Sequence, residues 1–373
     1  MALNPDQYRL SEAEHQAIFE RDIQPDLFAE AKSSSHPVAV IYGGQPGAGK
    51  SAAIDEAMNE LRERGGAVQI IGDDLRDYHP QYALLMGRDD KTAAYYTDRD
   101  TGRWVEKAIA EAKALRVNLV IEGTMRDGDK VAATMESLRA AGYKIDARAL
   151  AVSARLSEQG ILQRYENQKA DRGAGRMTAP EAHRAAYDGM LETIERIERD
   201  KLADRVTVYR RGAEVIYSNE LQAGEWAHEP QARAAVQAER NRPMTLQERI
   251  EYATGFEDLA GMLTHPLRKA SADEIRWVAD LQRKARAMVV AEVFRHEPPA
   301  KALQQHPELA PAFAHIRAIE AKTKADGLDE NQQAIVLARV RDNLANSIES
   351  GKLSELQAGE RVDTRAPQYE QER

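Results

Sequence analysis

The most informative segment of the chain is residues 38–51, which read V-A-V-I-Y-G-G-Q-P-G-A-G-K-S. Its first five residues are apolar and mostly β-branched, as in a buried strand, and its last eight match the phosphate-loop pattern G-x-x-x-x-G-K-[ST] at every fixed position. The apolar residues Ile54, Met58 and Leu61 follow at helical spacing, which predicts an amphipathic helix. A strand, a glycine-rich loop and a helix in this order are typical of a nucleotide-binding P-loop.

Each position in this loop has a chemical reason. Glycine lets the backbone curl so that its N–H groups face phosphate oxygens, and the following helix directs its positive end at the same group. We predict that Lys50 reaches the β- and γ-phosphates of the bound nucleotide and that the Ser51 hydroxyl ligates Mg²⁺. The predicted nucleotide-binding residues are Gly44, Gln45, Pro46, Gly47, Ala48, Gly49, Lys50 and Ser51.

The composition restricts the class of protein. With 373 residues, 42% of them hydrophobic and 30% charged, the chain is globular and larger than one ordinary domain. The net charge of −9 argues against a general nucleic-acid binder, and the absence of cysteine excludes disulfides, thiolate metal sites and cysteine nucleophiles. Neither a signal peptide nor an apolar run long enough to span a membrane is present, so we expect a cytoplasmic protein without membrane association.

Short apolar runs alternate with helical patterns through the first part of the chain. Each run is apolar throughout instead of alternating with polar residues, which is typical of strands buried on both faces. The pattern predicts an α/β fold, with a mostly parallel sheet flanked by helices and closed by a hairpin. The predicted strands are 38–42, 68–71, 119–121 and 147–152, with the hairpin at 206–209 and 214–217.

We predict three regions from these patterns. A peripheral helical segment occupies residues 1–36, and the P-loop kinase domain occupies 37–222. Residues 223–373 carry helical patterns only, which predicts an all-α accessory region, and the polar residues from about 360–373 form a frayed end.

Two predicted strands lead into acidic residues. Asp73 follows the second strand and could orient or deprotonate an acceptor hydroxyl, although a cap for the next helix explains it almost as well. Glu122 directly follows the third strand, at the usual position for polarising water or substrate beside Mg²⁺. Because ligands bind at the carboxyl ends of strands in a doubly wound sheet, both carboxylates could face the triphosphate. We interpret His79 as a turn residue and not as a catalyst.

Arginines form a second group of candidates. Arg164 lies in the helix predicted after the fourth strand, and Arg172 and Arg176 lie in the glycine-rich segment 171–176. Such a segment could close over the phosphates and neutralise the charge that develops during transfer. A flexible, solvated loop explains the same pattern equally well.

Taken in order, these residues resemble the zeta toxin family, the kinase half of epsilon–zeta type toxin–antitoxin systems. The resemblance covers roughly residues 37–220. The matching segments are the phosphate loop; Asp73, Arg76 and His79-Pro80, similar to D-x-[FL]-R-x-x-H-P; Val105-Glu106-Lys107; Ile121-Glu122-Gly123-Thr124-Met125-Arg126, similar to I-E-G-T-x-R; Arg164-Tyr165-Glu166; and Arg176-Met177-Thr178-Ala179-Pro180.

The resemblance implies an activity. The family transfers phosphate from ATP or GTP to a UDP-activated amino sugar, typically to the 3′-hydroxyl of the N-acetylglucosamine unit, which stalls the synthesis of peptidoglycan precursors. It also implies a small helical antitoxin that blocks the nucleotide site.

The resemblance also implies roles for single residues. Asp73 matches the carboxylate that activates the acceptor, Lys50 matches the phosphate lysine, and Arg172 becomes a bystander. Arg164 and Arg176 match the arginines that serve the triphosphate. The substrate-binding residues implied by the match are Arg76, Glu106, Glu122, Thr124 and Arg126.

Two departures from the family leave alternatives open. Asp74 stands where the family often has a small hydroxyl residue, so either Asp73 or Asp74 could face the substrate. The helical region after residue 224 is not part of the minimal toxin and could broaden substrate choice, bind a partner or self-inhibit. The alternative functions are a kinase for another acceptor, such as an antibiotic or a nucleic-acid end, and a non-catalytic module that binds in response to nucleotide.

Overall fold

The computed structural model describes Asn4 and residues 6–352, so the predicted frayed end at about 360–373 lies outside the described residues. The chain divides into two compact units, one that ends at Arg242 and one that begins at Pro243. The first unit thus continues beyond residue 222, the predicted end of the kinase domain. It does so because Ala232 and Val236 are buried in the same hydrophobic core as the sheet.

A mostly parallel sheet forms the centre of the first unit, as predicted. Its strand order in the described residues is β2-β3-β1-β4-β5-β6-β7. Neighbours from β2 to β5 pair in parallel, and the last two pairings are antiparallel. The strands are β1 (Val38–Gly43), β2 (Val68–Ile71), β3 (Leu119–Glu122), β4 (Lys144–Ala151), β5 (Arg205–Arg210), β6 (Val215–Gln222) and β7 (Glu225–Trp226).

Helices cover both faces of this sheet. They are α1 (Glu12–Ile18), α2 (Gln24–Phe28), α3 (Ser51–Arg62), α4 (Tyr82–Arg88), α5 (Ala93–Leu115), α6 (Gly128–Ala140), α7 (Ala154–Arg172), α8 (Pro180–Arg199) and α9 (Ala232–Asn241). A π-helical turn (Phe19–Ile23) joins α1 to α2, and a 3₁₀ turn (Asp74–Tyr78) follows β2.

Alternate residues of β1 enter two separate cores. Val40 and Tyr42 of β1 pack in the core that contains α3, whereas Ala39 and Ile41 pack in the core that contains Trp104 of α5. Burial on both faces explains why the strands are apolar throughout. This arrangement brings the carboxyl ends of β1, β2 and β3 to one edge of the sheet, where the phosphate loop begins.

The N-terminal segment belongs to the core instead of lying at its periphery. Ile18, Phe19 and Ile23 are buried in the main hydrophobic cluster. The ring of His15 stacks on the indole of Trp104, with 4.8 Å between the ring centroids. Helices are present in the described part of residues 1–36, and the apolar side of this segment packs on α5 as part of the sheet's own core, which differs from the expected peripheral position.

The second unit is all-α within the described residues, as predicted. Its core includes Phe294, Phe313 and Leu344, and capping boxes at Thr245, Ser271 and Asp329 start three of its helices. Among the helices described in the chain, none is both long enough and apolar enough to cross a membrane. The helices of this unit are α10 (Leu246–Thr264), α11 (Ala272–His296), α12 (Pro299–Gln305), α13 (Ala310–Ala325) and α14 (Glu330–Glu349), with a 3₁₀ turn at Pro307–Leu309.

Candidate active site

The phosphate loop connects β1 to α3 and packs tightly on α7. Gly47 and Gly49 have φ angles of 78° and 87°, in the left-handed region that favours glycine. A Cβ atom at Gly47 would lie 2.0 Å from the carbonyl oxygen of Ser157 in α7. The two glycines therefore allow both the curled backbone and its close approach to the neighbouring helix.

Gln45 anchors the same loop from within the protein. Its side chain is fully buried, and its amide donates a hydrogen bond to the carbonyl of Val152 (2.7 Å). Its amide oxygen accepts a hydrogen bond from the guanidinium of Arg240 in α9 (3.1 Å). That guanidinium also donates to the carbonyl of Tyr187 (2.7 Å) and lies 3.7 Å from the centre of the Tyr187 ring. Sequence analysis missed Arg240, since it lies outside the predicted kinase domain.

Arg240→Ala should destabilise the first unit and weaken nucleotide binding. It removes two hydrogen bonds from a charged donor and a cation–π contact, and it leaves the buried amide oxygen of Gln45 and the carbonyl of Tyr187 without this donor. We expect the free energy of unfolding to fall by about 2–3 kcal/mol, as measured by urea denaturation, and the Kd for nucleotide to rise in isothermal titration calorimetry.

Arg233→Ala provides the matched control, because Arg233 lies on the same helix but forms an exposed ion pair with Glu195 (2.6 Å). Exposed pairs of this kind contribute about 0–1 kcal/mol. Equal stability losses in the two variants would contradict the anchoring role of Arg240.

Lys50 and Ser51 lie where the loop enters α3. The Lys50 ammonium is buried, donates a hydrogen bond to the carbonyl of Gly44 (2.8 Å) and lies 3.2 Å from the carboxylate of Glu122 at the end of β3. Ser51 is the first residue of the helix. Neighbouring strand ends thus bring the predicted phosphate lysine and the predicted polarising carboxylate into direct contact.

Asp73 leaves β2 among three arginines. Its carboxylate forms ion pairs with Arg176 and, at 3.3 Å, with Arg76. Burial alone would raise the pKa of Asp73, but the charges of Arg176, Arg76 and Arg164 outweigh it and hold this pKa below its usual range. Asp73 is therefore ionised at neutral pH and able to accept a proton.

Several contacts besides its ion pair with Asp73 fix the side chain of Arg76 in place. It is buried, and one nitrogen of its guanidinium donates to the carbonyl of Ala94 (2.8 Å) and to the hydroxyl of Thr97 (3.0 Å). A second nitrogen pairs with Asp98 (2.7 Å). These contacts fix Arg76 to the start of α5, so that it holds Asp73 in place from one side.

The glycine-rich segment between α7 and α8 is anchored in this structure. The Gly175 N–H donates to the carboxylate of Asp90 (3.3 Å), which also accepts a hydrogen bond from the Tyr165 hydroxyl (3.0 Å) and pairs with Lys169 (3.0 Å). A Cβ atom at Gly175 would lie 2.2 Å from the Tyr165 carbonyl oxygen. The sequence left open whether this segment closes over the phosphates or is a flexible, solvated loop. These contacts argue against the flexible loop.

Two arginines project from this region toward Asp73. Arg176 pairs directly with it, and the guanidinium of Arg164 donates to the hydroxyl of Thr178 (2.8 Å). Burial, together with the positive charge of Arg176, lowers the pKa of Arg164 to about 10, which still leaves it protonated at neutral pH. The two cations are thus concentrated beside one carboxylate.

Two cavities meet at this cluster. The first has a volume of about 580 Å³ and the second of about 900 Å³, and the side chains of Asp73, Glu122 and Arg164 line both. Ser51 and Arg176 line the second cavity. The predicted site residues that line the first cavity are Pro46, Lys50, Asp73, Arg76, Glu106, Glu122, Thr124, Arg126 and Arg164.

The two neighbouring aspartates have different surroundings. Asp73 lines both cavities, whereas Asp74 lines only the second. Burial, followed by the negative charges of Glu122 and Asp73, raises the pKa of Asp74. Because Asp73 lines both cavities and Asp74 lines only the second, the geometry supports Asp73 as the candidate base.

The other residues singled out from the sequence lie outside this centre. His79 is buried beside Asp100 (3.5 Å), at the end of the 3₁₀ turn, which agrees with its interpretation as a turn residue. Arg172 lies on the lining of the second cavity. Sequence analysis missed Arg9 and Asp98, which line the first cavity, because no motif marks them.

A phosphate loop on a mostly parallel sheet, with an ionised carboxylate and clustered arginines at the same edge, defines the class of P-loop phosphotransferases. The Zeta toxin family model matches residues 25–222, which is more than half of the chain. The chain therefore belongs to the zeta toxin family, and the resemblance drawn from its motifs is confirmed.

Known relatives agree with this assignment. The chain is 31% identical over 209 residues to Toxin PezT of Streptococcus pneumoniae, a match that covers 52% of this chain and 82% of that protein. It is 29% identical over 207 residues to Toxin zeta of Enterococcus hirae, covering 54% and 72% of the two chains. A solved structure from the PezAT chromosomal toxin–antitoxin system of S. pneumoniae aligns with a TM-score of 0.58 and 25% identity, covering 69% of this chain and all of that one.

Proposed function

We propose that this chain is a toxin-type kinase that transfers the γ-phosphate of ATP or GTP to a hydroxyl of a UDP-activated amino sugar. The proposed acceptor is of the UDP-N-acetylglucosamine class, with its 3′-hydroxyl as the reacting group. The observation that carries the proposal is the position of Asp73, an ionised carboxylate on the wall that two cavities share. A donor in one cavity and an acceptor in the other would meet at this residue.

The donor side follows from the phosphate loop. The backbone N–H groups of residues 44–51 and the start of α3 would hold the phosphates, and Lys50 would contact the β- and γ-phosphates. Arg164 and Arg176 would neutralise the charge that spreads over the transferring group, because their guanidinium groups are already concentrated at the shared wall. Ser51 would help to hold Mg²⁺, which when bound would supply positive charge that offsets the negative charge of the phosphates.

The side chains of the site fit a Mg²⁺ ion that is bound by the protein and by the phosphates of the nucleotide. The second cavity offers hard oxygen donors from Ser51 and Glu122. Within the described residues, no group of three or more histidine, aspartate or glutamate side chains is arranged to hold a metal. Mg²⁺ typically takes one or two protein ligands and completes its shell with phosphates and water, which this donor set supports.

The acceptor side follows from the charges of the first cavity. Eight cationic side chains and four carboxylates line it, and six cations remain when Lys50 and Arg164 are assigned to the donor, although the whole chain carries a net charge of −9. This local excess of positive charge supports an anionic acceptor such as a sugar nucleotide. Asp73 would take the proton from the attacking hydroxyl, and Arg76 and Arg176 would hold the carboxylate in position.

The family also supports a partner and a cellular effect. Its relatives are named toxins, and one solved relative belongs to a toxin–antitoxin system. We propose that a small helical antitoxin binds this chain over the nucleotide site, and that the free kinase arrests growth by depleting a cell-wall precursor. Co-expression with the product of a neighbouring short reading frame should relieve the arrest; harmless expression of the active kinase alone would contradict it. The cytoplasmic location stays a prediction.

A direct test uses purified protein with Mg²⁺, ATP or GTP, and UDP-N-acetylglucosamine. We expect a new phosphomonoester signal in ³¹P NMR and one added phosphoryl group in mass spectrometry. The 3′-deoxy analogue of the sugar is the matched control and should give no product. Equally slow nucleotide hydrolysis with and without any of a panel of UDP-sugars would contradict the proposal and favour a nucleotide-dependent binding module. Product with a different small alcohol would instead favour another acceptor.

A further inference from the structure

One residue of the first cavity comes from a part of the chain that precedes the family match. The match begins at residue 25, yet the side chain of Arg9 lines the cavity together with Arg99 and Arg103 of α5. Glu106, one turn further along α5, lines it as well. The N-terminal segment therefore contributes a cation to a cavity whose other residues lie within the matched region.

Charged contacts on either side of Arg9 hold this segment on α5. Asp6 forms an ion pair with Arg99, and Glu12 forms one with Arg103. Between them, the backbone N–H of Leu10 donates a hydrogen bond to the buried carboxylate of Asp100 (3.1 Å). These contacts position the backbone on both sides of Arg9, so that the place of its side chain at the cavity is part of the fold.

The guanidinium of Arg9 is available to a ligand. Its side chain is 52% exposed, and its ion pair with Asp6 has a separation of 3.8 Å, which is longer than a hydrogen bond. Asp6 also serves Arg99, so its charge is shared between two arginines. An anion that enters the cavity would thus meet at Arg9 a cation with only a weak intramolecular competitor.

We infer that Arg9 is a specificity-determining residue that binds the anionic diphosphate of the acceptor. This inference rests on the proposed function and deepens it. The reacting hydroxyl must reach Asp73, whereas the diphosphate needs cations that are not committed to that carboxylate. Arg76 already forms ion pairs with Asp73 and Asp98, whereas Arg9 forms no ion pair with Asp73. A guanidinium is well suited to this task because it can donate two parallel hydrogen bonds to phosphate oxygens.

The test compares Arg9→Ala with the wild-type protein. We expect the KM for UDP-N-acetylglucosamine to rise about tenfold, the loss typical of one charge-assisted hydrogen bond, with kcat and the Kd for ATP unchanged. Calorimetry without ATP should show a similar loss of affinity for UDP and no loss for uridine, which lacks the phosphates. Arg9→Lys should recover part of the affinity for UDP, and a purely structural role would not separate UDP from uridine.

Arg21→Ala is the matched control, because Arg21 is an exposed arginine of the same segment that pairs with Asp22 (2.6 Å). It should leave all of these values unchanged. An unchanged KM and an unchanged UDP affinity in Arg9→Ala, with a wild-type protein that phosphorylates the sugar nucleotide, would overturn the inference and leave the proposed function standing. A wild-type protein that binds UDP through Arg9 but transfers no phosphate to the sugar would overturn the proposed function instead.

Discussion

Asp73→Asn should lower kcat for phosphoryl transfer by about 10²–10⁴-fold, the range for loss of a positioned general base. The amide keeps the shape of the side chain but cannot accept the hydroxyl proton. It also lacks the negative charge that balances Arg176 and Arg76. Steady-state kinetics with saturating ATP and acceptor would measure the loss, and thermal unfolding would show whether the fold survives.

The neighbouring residue supplies the control for this experiment. Asp74→Asn changes the same type of side chain one position along the chain, on the lining of the second cavity alone. We expect it to retain most of the transfer activity. If Asp74→Asn abolishes transfer while Asp73→Asn remains at the wild-type rate, the two assignments must be exchanged. A wild-type rate for both variants would remove the carboxylate base from the mechanism.

Lys50→Ala should reduce transfer by at least about 10²–10³-fold, because it removes the buried cation that we propose to contact the transferring phosphate. It should also abolish the growth arrest that we propose for expression of the wild-type chain. The loss of this ammonium leaves the carboxylate of Glu122 without its partner at 3.2 Å, so the affinity for ATP is also expected to fall. Rate measurements and calorimetry with ATP would separate the two effects.

Lys144→Ala tests whether the loss is specific to the phosphate loop. Lys144 is an exposed lysine that pairs with Glu220 (3.2 Å) at the opposite end of the neighbouring strand from the site. We expect this variant to keep its activity and to arrest growth. Full activity of Lys50→Ala would mean that the loop does not serve phosphoryl transfer.

Two residues of the site lie outside the segment that the family match covers. Arg240 follows the match and holds Gln45 of the phosphate loop, whereas Arg9 precedes it and lines the proposed acceptor cavity. A fragment restricted to residues 37–222 would lose both of these contacts. The structural unit around the site is therefore larger than the motifs suggest, because residues near both ends of the first unit contact the loop or line the cavity.

Much of this protein could be predicted from its sequence. The glycine spacing around Lys50 and the apolar runs are local patterns in the sequence. They were therefore enough to predict the P-loop and the mostly parallel sheet. The order of the motifs along the chain was enough to predict the family. Asp73 and Glu122 could be placed at one edge of the sheet because the carboxyl ends of parallel strands necessarily meet there.

Only the tertiary structure could show which groups touch. Arg240 and Gln45 are 195 positions apart in the chain, and the packing of α9 on the sheet creates their contact. The ion pair of Asp73 with Arg176 likewise joins β2 to the segment after α7. Local patterns encode helices, strands and loops, but a contact between distant side chains depends on how these elements pack. For that reason, the different surroundings of Asp73 and Asp74 and the place of Arg9 in the cavity became visible only in the folded chain.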